Sequence, residues 1–101
     1  MARRQPEGRF VRERMLKDLR SLPRAWFERV QQQSLRGTPD VLGCLNSRFV
    51  ALEAKRGPGE KPTELQLYKL RLIEQAGGFA AVPNPENWDD IFAELQEIAR
   101  G

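Results

Sequence analysis

The pattern of apolar and polar positions predicts a helix and three strands in the first half of the chain. From about Pro6 to Ser21, apolar residues recur every three or four positions, which predicts a helix that Pro23 ends. Three mainly apolar stretches follow and predict strands over residues 25–33, 40–45 and 48–55. Asn46-Ser47 suits a two-residue hairpin turn between the last two strands.

The second half predicts a helix, a strand and a final helix. Thr63 suits an N-cap, and the helix runs from it to about Ala76, where Gly77-Gly78 ends it. Residues 79–82 predict a short buried strand. The last helix has an apolar stripe that favours a core position over a partner surface: Trp88, Ile91, Phe92, Leu95 and Ile98.

The predicted order of elements is α-β-β-β-α-β-α. A helix between the third and fourth strands makes a parallel crossover, whereas the hairpin is antiparallel. The fold class is therefore α/β, with a four-stranded mixed sheet flanked by helices. Residues 1–101 contain no composition shift that would mark a boundary, so we expect a single domain.

Composition excludes several classes of site. The chain has 101 residues, is 40% hydrophobic and contains no histidine, which excludes histidine-based acid–base catalysis and histidine-ligated zinc. Its one cysteine, Cys44, excludes an internal disulfide and is expected in the core. No apolar run is long enough for a membrane span, and the expected location is the cytoplasm of a bacterial or phage-infected cell. A net charge of +3, mostly from arginine, is a weak indication of nucleic-acid binding.

The hairpin brings charged residues together. If Asn46-Ser47 forms the turn, Asp40 lies opposite Glu53, and Lys55 shares their face. Like charges in this position are destabilising, but a divalent cation between them reverses the effect. A lysine beside such a cation can act on a phosphate, so the pattern predicts metal-assisted phosphodiester hydrolysis with Mg²⁺ or Mn²⁺.

The spacing also resembles a known nuclease signature. Pro39-Asp40, twelve residues, then Glu53-Ala54-Lys55 is similar to the PD-(D/E)XK pattern. Together with "PEGRF", "GTPD", "FVALEAKRG" and "TELQ", it resembles the VRR-NUC (virus-type replication–repair nuclease) family in its standalone form, over about residues 7–82. The resemblance implies a restriction-endonuclease-like core.

The resemblance also implies roles for individual residues. Asp40, Glu53 and the backbone carbonyl of Ala54 would be metal ligands, and Glu7 would complete the metal site, with Glu13 as the rival for that role. The catalytic residues it implies are Asp40, Glu53, Lys55 and Gln66. Gln66 has a second role open to it, because Thr63-Glu64-Leu65-Gln66 also reads as a capping box.

The expected activity is that of a metal-dependent endodeoxyribonuclease selective for branched DNA, similar to Holliday-junction resolvases. The alternatives are a nuclease for flaps or single-strand–double-strand boundaries, and a non-catalytic nucleic-acid-binding module. Four cationic residues lie near the site in sequence: Arg36, Arg56, Lys61 and Lys69. They are candidates to bind DNA phosphates, and the alternative is that they are ordinary surface charges. A homodimer is expected, since the core is small and Trp26 and Phe27 face opposite sides of one strand.

Overall fold

The computed structural model describes residues 7–30 and 35–101, apart from the side chain of Glu7. The elements are α1 (Glu7–Phe10), a π-helical turn (Val11–Met15), α2 (Leu16–Leu19), β1 (Ala25–Arg29), β2 (Val41–Leu45), β3 (Arg48–Leu52), α3 (Glu64–Gln75), β4 (Phe79–Ala81) and α4 (Trp88–Arg100). Their order confirms the predicted α/β arrangement. The predicted helix start at Pro6 and the predicted end of the first strand at residues 31–33 lie outside the described residues.

The four strands form one mixed sheet in the order β1-β2-β3-β4. The first two pairs are antiparallel and the last pair is parallel. Leu45 pairs with Arg48, as predicted for a two-residue turn. Asn46 and Ser47 have φ angles of 50° and 71°, the left-handed conformation that a type I′ turn requires at both positions.

The hairpin strands are shorter than predicted. β2 begins at Val41 rather than Asp40, and β3 ends at Leu52 rather than Lys55. The chain nevertheless continues beside β4 and the residues after it, because the amides of Glu53 and Lys55 donate to the carbonyls of Ala81 (3.0 Å) and Pro83 (2.9 Å). Asp40 and Glu53 therefore lie just past the paired strands, each next to a member of the last registered pair, Val41 and Leu52. The residues of β4 are only partly buried, which corrects the prediction of a buried strand.

The first helix contains a π-turn that its periodicity did not predict. The backbone N–H of Leu16 bonds to the carbonyl of Val11, five residues earlier. Phe10, Val11, Met15 and Leu16 are all buried, so the core-facing residues recur at a spacing of five. In an α-helix such residues lie about 140° apart around the axis, and the wider turn brings both pairs towards the core.

One face of the sheet packs on the N-terminal helical segments and α4. Trp88 is fully buried there, and its ring meets that of Phe10 edge-to-face at 6.4 Å. Its indole N–H donates to Oδ2 of Asp18 at 2.8 Å, which satisfies the buried polar group. Leu95 is also fully buried, and Ile91, Phe92 and Ile98 pack against the core, which confirms the predicted role of the α4 stripe.

The other face of the sheet is only partly covered. Phe27 is 3% exposed and Trp26 is 62% exposed, so the two residues do face opposite sides. Cys44 is exposed because it pairs with Trp26 on this open face, and its predicted core position is wrong. Gly43 faces the core opposite Phe27, where a Cβ atom would lie 2.3 Å from the ring. No helix within the described ranges is both long and apolar enough to cross a membrane.

Candidate active site

Asp40 is held where β2 and β3 separate. Its carbonyl accepts from the amide of Val30 at 2.7 Å, and its Oδ2 accepts from the amide of Ala54 at 2.8 Å. The side chain therefore takes the hydrogen bond that a strand partner would otherwise make with Ala54. The hairpin register, continued beyond its last pair of Val41 and Leu52, would place Pro39 opposite Ala54, and proline has no N–H. The Ala54 carbonyl consequently receives no ladder hydrogen bond from that position.

Glu53 and Lys55 form a buried ion pair. Oε2 of Glu53 lies 3.3 Å from Nζ of Lys55, and the side chains are 4% and 11% exposed. Both belong to the face of the sheet that includes Phe49, since side chains alternate along a strand. Lys55 thus compensates one of the two carboxylates that the hairpin brings together, and it does so within the chain itself.

Gln66, in the first turn of α3, joins this pair to the helix. Its Nε2 donates to Oε2 of Glu53 at 2.9 Å, while its Oε1 accepts from Nζ of Lys55 at 3.2 Å. The same Oε1 accepts from the backbone N–H of Thr63 at 2.8 Å, and the Thr63 hydroxyl accepts from the Gln66 amide at 3.1 Å. The capping box and the contact with Glu53 therefore exist together, and the capping role of Gln66 is confirmed.

A groove of about 520 Å³ lies beside Gln66. Its other lining residues come from one loop and the start of α3: Leu35, Arg36, Gly37, Thr38, Thr63 and Leu65. Gly37 has a φ of 78°, and a Cβ atom there would lie 2.8 Å from Cγ of Leu65. The Lys69 ammonium donates to the Arg36 carbonyl. The loop is thus held closely against α3, at one side of the candidate site.

The four cationic candidates differ in how they are placed. The side chains of Arg36 and Lys61 are exposed. Arg56 binds Glu60 through two guanidinium nitrogens, at 3.1 and 2.9 Å, and through its backbone N–H at 3.0 Å. The backbone N–H of Arg56 and then its guanidinium lower the pKa of Glu60 below its usual 4.5. Lys69 contacts the loop as described, and Arg56, although exposed, is engaged by Glu60.

Of the two acidic candidates on the first helix, the structure describes the side chain of Glu13 but not that of Glu7. The prediction for Glu7 concerns a side chain outside the described part of the structure. The Glu13 side chain is 65% exposed and pairs with Arg9 at 3.6 Å. Among the side chains that the structure describes, no group of three or more His, Cys, Asp or Glu residues is placed to hold a metal ion.

The donor set fits a hard cation. Asp40, Glu53 and the Ala54 carbonyl offer oxygen atoms alone, and Mg²⁺ is commonly held by one or two carboxylates completed by water and phosphate. Soft metals are disfavoured, since the one cysteine of the chain, Cys44, lies near the end of β2 that is farther from Asp40. These oxygen donors are of the type that Mg²⁺ and Mn²⁺ prefer.

One part of the site was not predicted from the sequence. Thr63 was expected to cap α3, but its indirect link to Lys55 depends on where α3 begins relative to the end of β3. The available signal was Gln66, which takes part in both the capping box and the nuclease-like motif.

Comparison of the chain with protein-family models, with curated proteins and with solved structures found no match.

Proposed function

We propose that this protein is a Mg²⁺- or Mn²⁺-dependent endodeoxyribonuclease that hydrolyses phosphodiesters in branched DNA. The supporting observation is the buried Lys55–Glu53 pair, bridged by Gln66 at the edge of a groove. Apolar residues of similar volume often stabilise a protein as well as a buried ion pair does, so stability alone is a poor reason for such a cluster. Charged groups gathered beside a cleft are instead typical of functional sites.

Asp40, Glu53 and the Ala54 carbonyl would hold the cation. When bound, a divalent cation supplies positive charge at the attacked phosphodiester and lowers the pKa of water. The chain's own contribution is orientation. Gln66 fixes the direction of the Glu53 carboxylate, and the Ala54 amide fixes that of the Asp40 carboxylate.

Lys55 would act on the attacked phosphate. An ammonium group has three N–H donors. Within the described residues, Nζ donates one of these to Gln66 and lies 3.3 Å from Oε2 of Glu53. A remaining donor would bind a phosphate oxygen, where a positioned positive charge stabilises the charge that develops in the transition state.

DNA would be recognised by its shape. Arg36 and Lys61 are exposed and could contact phosphates, which positions the backbone without reading sequence. The small domain leaves little protein for reading base edges, so selectivity for a junction is favoured over selectivity for sequence. A flap or single-strand–double-strand boundary is the alternative substrate. A binding module of the same fold would have no need for the buried charged cluster.

A second copy of the chain would cover the open face of the sheet. Trp26, Cys44 and Phe49 form one row across three strands, and Trp26 and Phe49 are 62% and 45% exposed. An apolar cleft of about 330 Å³ lies beside this row, between Phe49 and three residues at the C-terminal end of α3: Leu72, Ile73 and the C-cap Ala76. A protruding tryptophan and an apolar cleft on one face are self-complementary under two-fold symmetry. The resemblance to two-fold junction resolvases also favours a homodimer.

Incubation with four-way, flap and linear DNA tests the activity directly. We expect cleavage of the branched substrates with Mg²⁺ or Mn²⁺, none in chelator, and none by Glu53→Gln. Glu97→Gln is the matched control and should cleave like the wild type, because Glu97 pairs with Arg100 on the surface. Cleavage that persists in chelator would contradict the proposal. DNA binding without cleavage under any metal would favour the binding module.

A further inference from the structure

We infer that Thr63, the N-cap of α3, is a positioning residue that acts on the candidate active site through Gln66. The inference about turnover rests on the proposed nuclease function. The structural part does not, since it concerns the orientation of one side-chain amide. Thr63 touches neither Lys55 nor Glu53 in the contacts described above, so its effect is indirect.

The orientation of the Gln66 amide follows from its neighbours. Oε1 lies 2.8 Å from the backbone nitrogen of Thr63 and 3.2 Å from Nζ of Lys55, and both of these groups can only donate. A flipped amide would place its own N–H donors against them. Oε1 must therefore face Thr63 and Lys55, which leaves Nε2 to donate to Glu53 at 2.9 Å.

Thr63 is in turn fixed by the helix that it caps. Its φ and ψ are −70° and 165°, the extended conformation of an N-cap, and its hydroxyl accepts from the backbone N–H of Gln66. The backbone N–H of Thr63 consequently has a defined direction towards Oε1. This donor and the hydroxyl together hold Gln66 at both its side chain and its backbone.

A weaker N-cap at Thr63 would therefore disturb the contacts of the Glu53–Lys55 pair. If Gln66 loses its contact with Thr63, its amide can rotate, and Lys55 and Glu53 lose a shared hydrogen-bonding partner. Small misplacements of oriented groups reduce the rate of the chemical step. DNA affinity would change little, because it depends on other groups. The expected signature is a fall in kcat with a nearly constant KM.

Three substitutions at position 63 separate the two bonds. Thr63→Ser keeps both the hydroxyl and the N–H, and should have wild-type kcat. Thr63→Val removes the hydroxyl alone and should lower kcat several-fold. Thr63→Pro also removes the N–H, and the φ of −70° suits proline. We expect it to lower kcat by about 10- to 100-fold, the scale of misplacement effects.

Asn87→Ala is the matched control for lost stability at a helix start. Asn87 is the N-cap of α4. Its side chain accepts from the backbone N–H of Asn84 at 2.7 Å and donates to the backbone carbonyl of Val82 at 3.2 Å. This variant should melt at a lower temperature than the wild type. Its kcat, measured well below that temperature, should be unchanged.

A second readout needs neither metal nor DNA. The side-chain amide of Gln66 is observed by ¹⁵N NMR in the metal-free protein and assigned from its absence in Gln66→Met. We expect the same signals in the wild type and Thr63→Ser, and a shift towards those of a solvated glutamine in Thr63→Val and, more strongly, Thr63→Pro. Unchanged amide signals in Thr63→Pro would overturn the inference.

The two readouts keep this inference distinct from the proposed function. A fall in kcat no larger for Thr63→Pro than for Asn87→Ala would overturn the positioning role. Wild-type protein without any nuclease activity would contradict the proposed function alone, because the NMR comparison still decides whether Thr63 orients Gln66.

Discussion

Nζ of Lys55 lies 3.3 Å from Oε2 of Glu53, and the two side chains are only 11% and 4% exposed. This pair compensates charge at the end of β3 within the chain. Breaking a buried pair leaves an isolated charge in a poorly solvated environment, which is strongly destabilising. The pair is therefore both a structural feature and the centre of the proposed active site, and its two contributions can be measured separately.

A double-mutant cycle measures the structural contribution. Glu53→Gln and Lys55→Met each leave one buried charge without its partner and should lower the free energy of unfolding by about 3–5 kcal/mol. The double variant removes both charges and should lose much less than the sum. Urea unfolding of the four proteins provides the values. Glu13→Gln breaks an exposed pair and should cost less than about 1 kcal/mol. Additive losses would show that the two residues do not interact.

Lys55→Met should also abolish most of the turnover while leaving the carboxylates in place. The loss should be about 100-fold or more in kcat, the scale for removing one electrostatic donor, measured below the melting temperature of the variant. Lys17→Met, at an exposed lysine of α2, is the control and should keep wild-type kcat. Wild-type turnover in Lys55→Met on the preferred substrate would rule out the role proposed for this ammonium.

Metal binding should raise the melting temperature of the wild type and not of Asp40→Asn. A ligand at one hundred times its Kd adds about 2.7 kcal/mol of stability. In so small a domain this corresponds to a rise in Tm of about 10 °C or more. Asparagine keeps an oxygen that can accept from the Ala54 amide, so the fold should persist. Asp89→Asn, on a side chain that is 89% exposed, should respond like the wild type. An equal rise in Asp40→Asn would place the cation elsewhere.

Glu60 should stabilise the loop after β3 only above its folded pKa. The backbone N–H of Arg56, and then its guanidinium, lower this pKa below the ordinary value of 4.5. The stabilisation is therefore complete above about pH 4.5 and is lost as the pH falls through the lower pKa of the folded protein. Carboxyl ¹³C titration should report a pKa below 4.5. Arg56→Met should return it only part of the way, because the backbone N–H remains. A full return would assign the shift to the guanidinium alone.

Trp26 should report dimer formation. The chain has two tryptophans, and Trp88 is fully buried, so a change of emission on dilution comes from Trp26. On dilution through the micromolar range, we expect the emission of Trp26 to shift to longer wavelength. At concentrations above this range, the sedimentation mass should be near twice 11.6 kDa. Trp26→Ser should be monomeric with its fold intact.

Two leucines of α3 provide a matched pair for the same surface. Leu72, 45% exposed, lines the cleft beside Phe49, whereas Leu67, 39% exposed, lies about 140° away around the helix. Leu72→Ser should weaken the dimer, and Leu67→Ser should not. A monomer at all concentrations would favour the flap-nuclease alternative, and a dimer that survives both Trp26→Ser and Leu72→Ser would place the interface on another surface.

The amino-acid sequence by itself determined the hairpin register and the start of α3. Asn46 and Ser47 both accept positive φ, and a slip by one residue would move Val41 and Val50 from the core to the other face. The capping box at Thr63 is likewise local, since both of its bonds span three residues. Because these features depend on neighbours in the chain, the local sequence is sufficient to place Asp40 opposite Glu53.

Only the tertiary structure decided what these residues contact. A strand pattern shows which residues share a face, but not which face the helices cover, and Cys44 was therefore misplaced. The contacts of Gln66 with Lys55 and Glu53 span eleven and thirteen residues, and they require α3 to pack beside the end of β3. The burial of the ion pair has the same origin, because desolvation depends on every element packed around a charge and not on the spacing of residues along the chain.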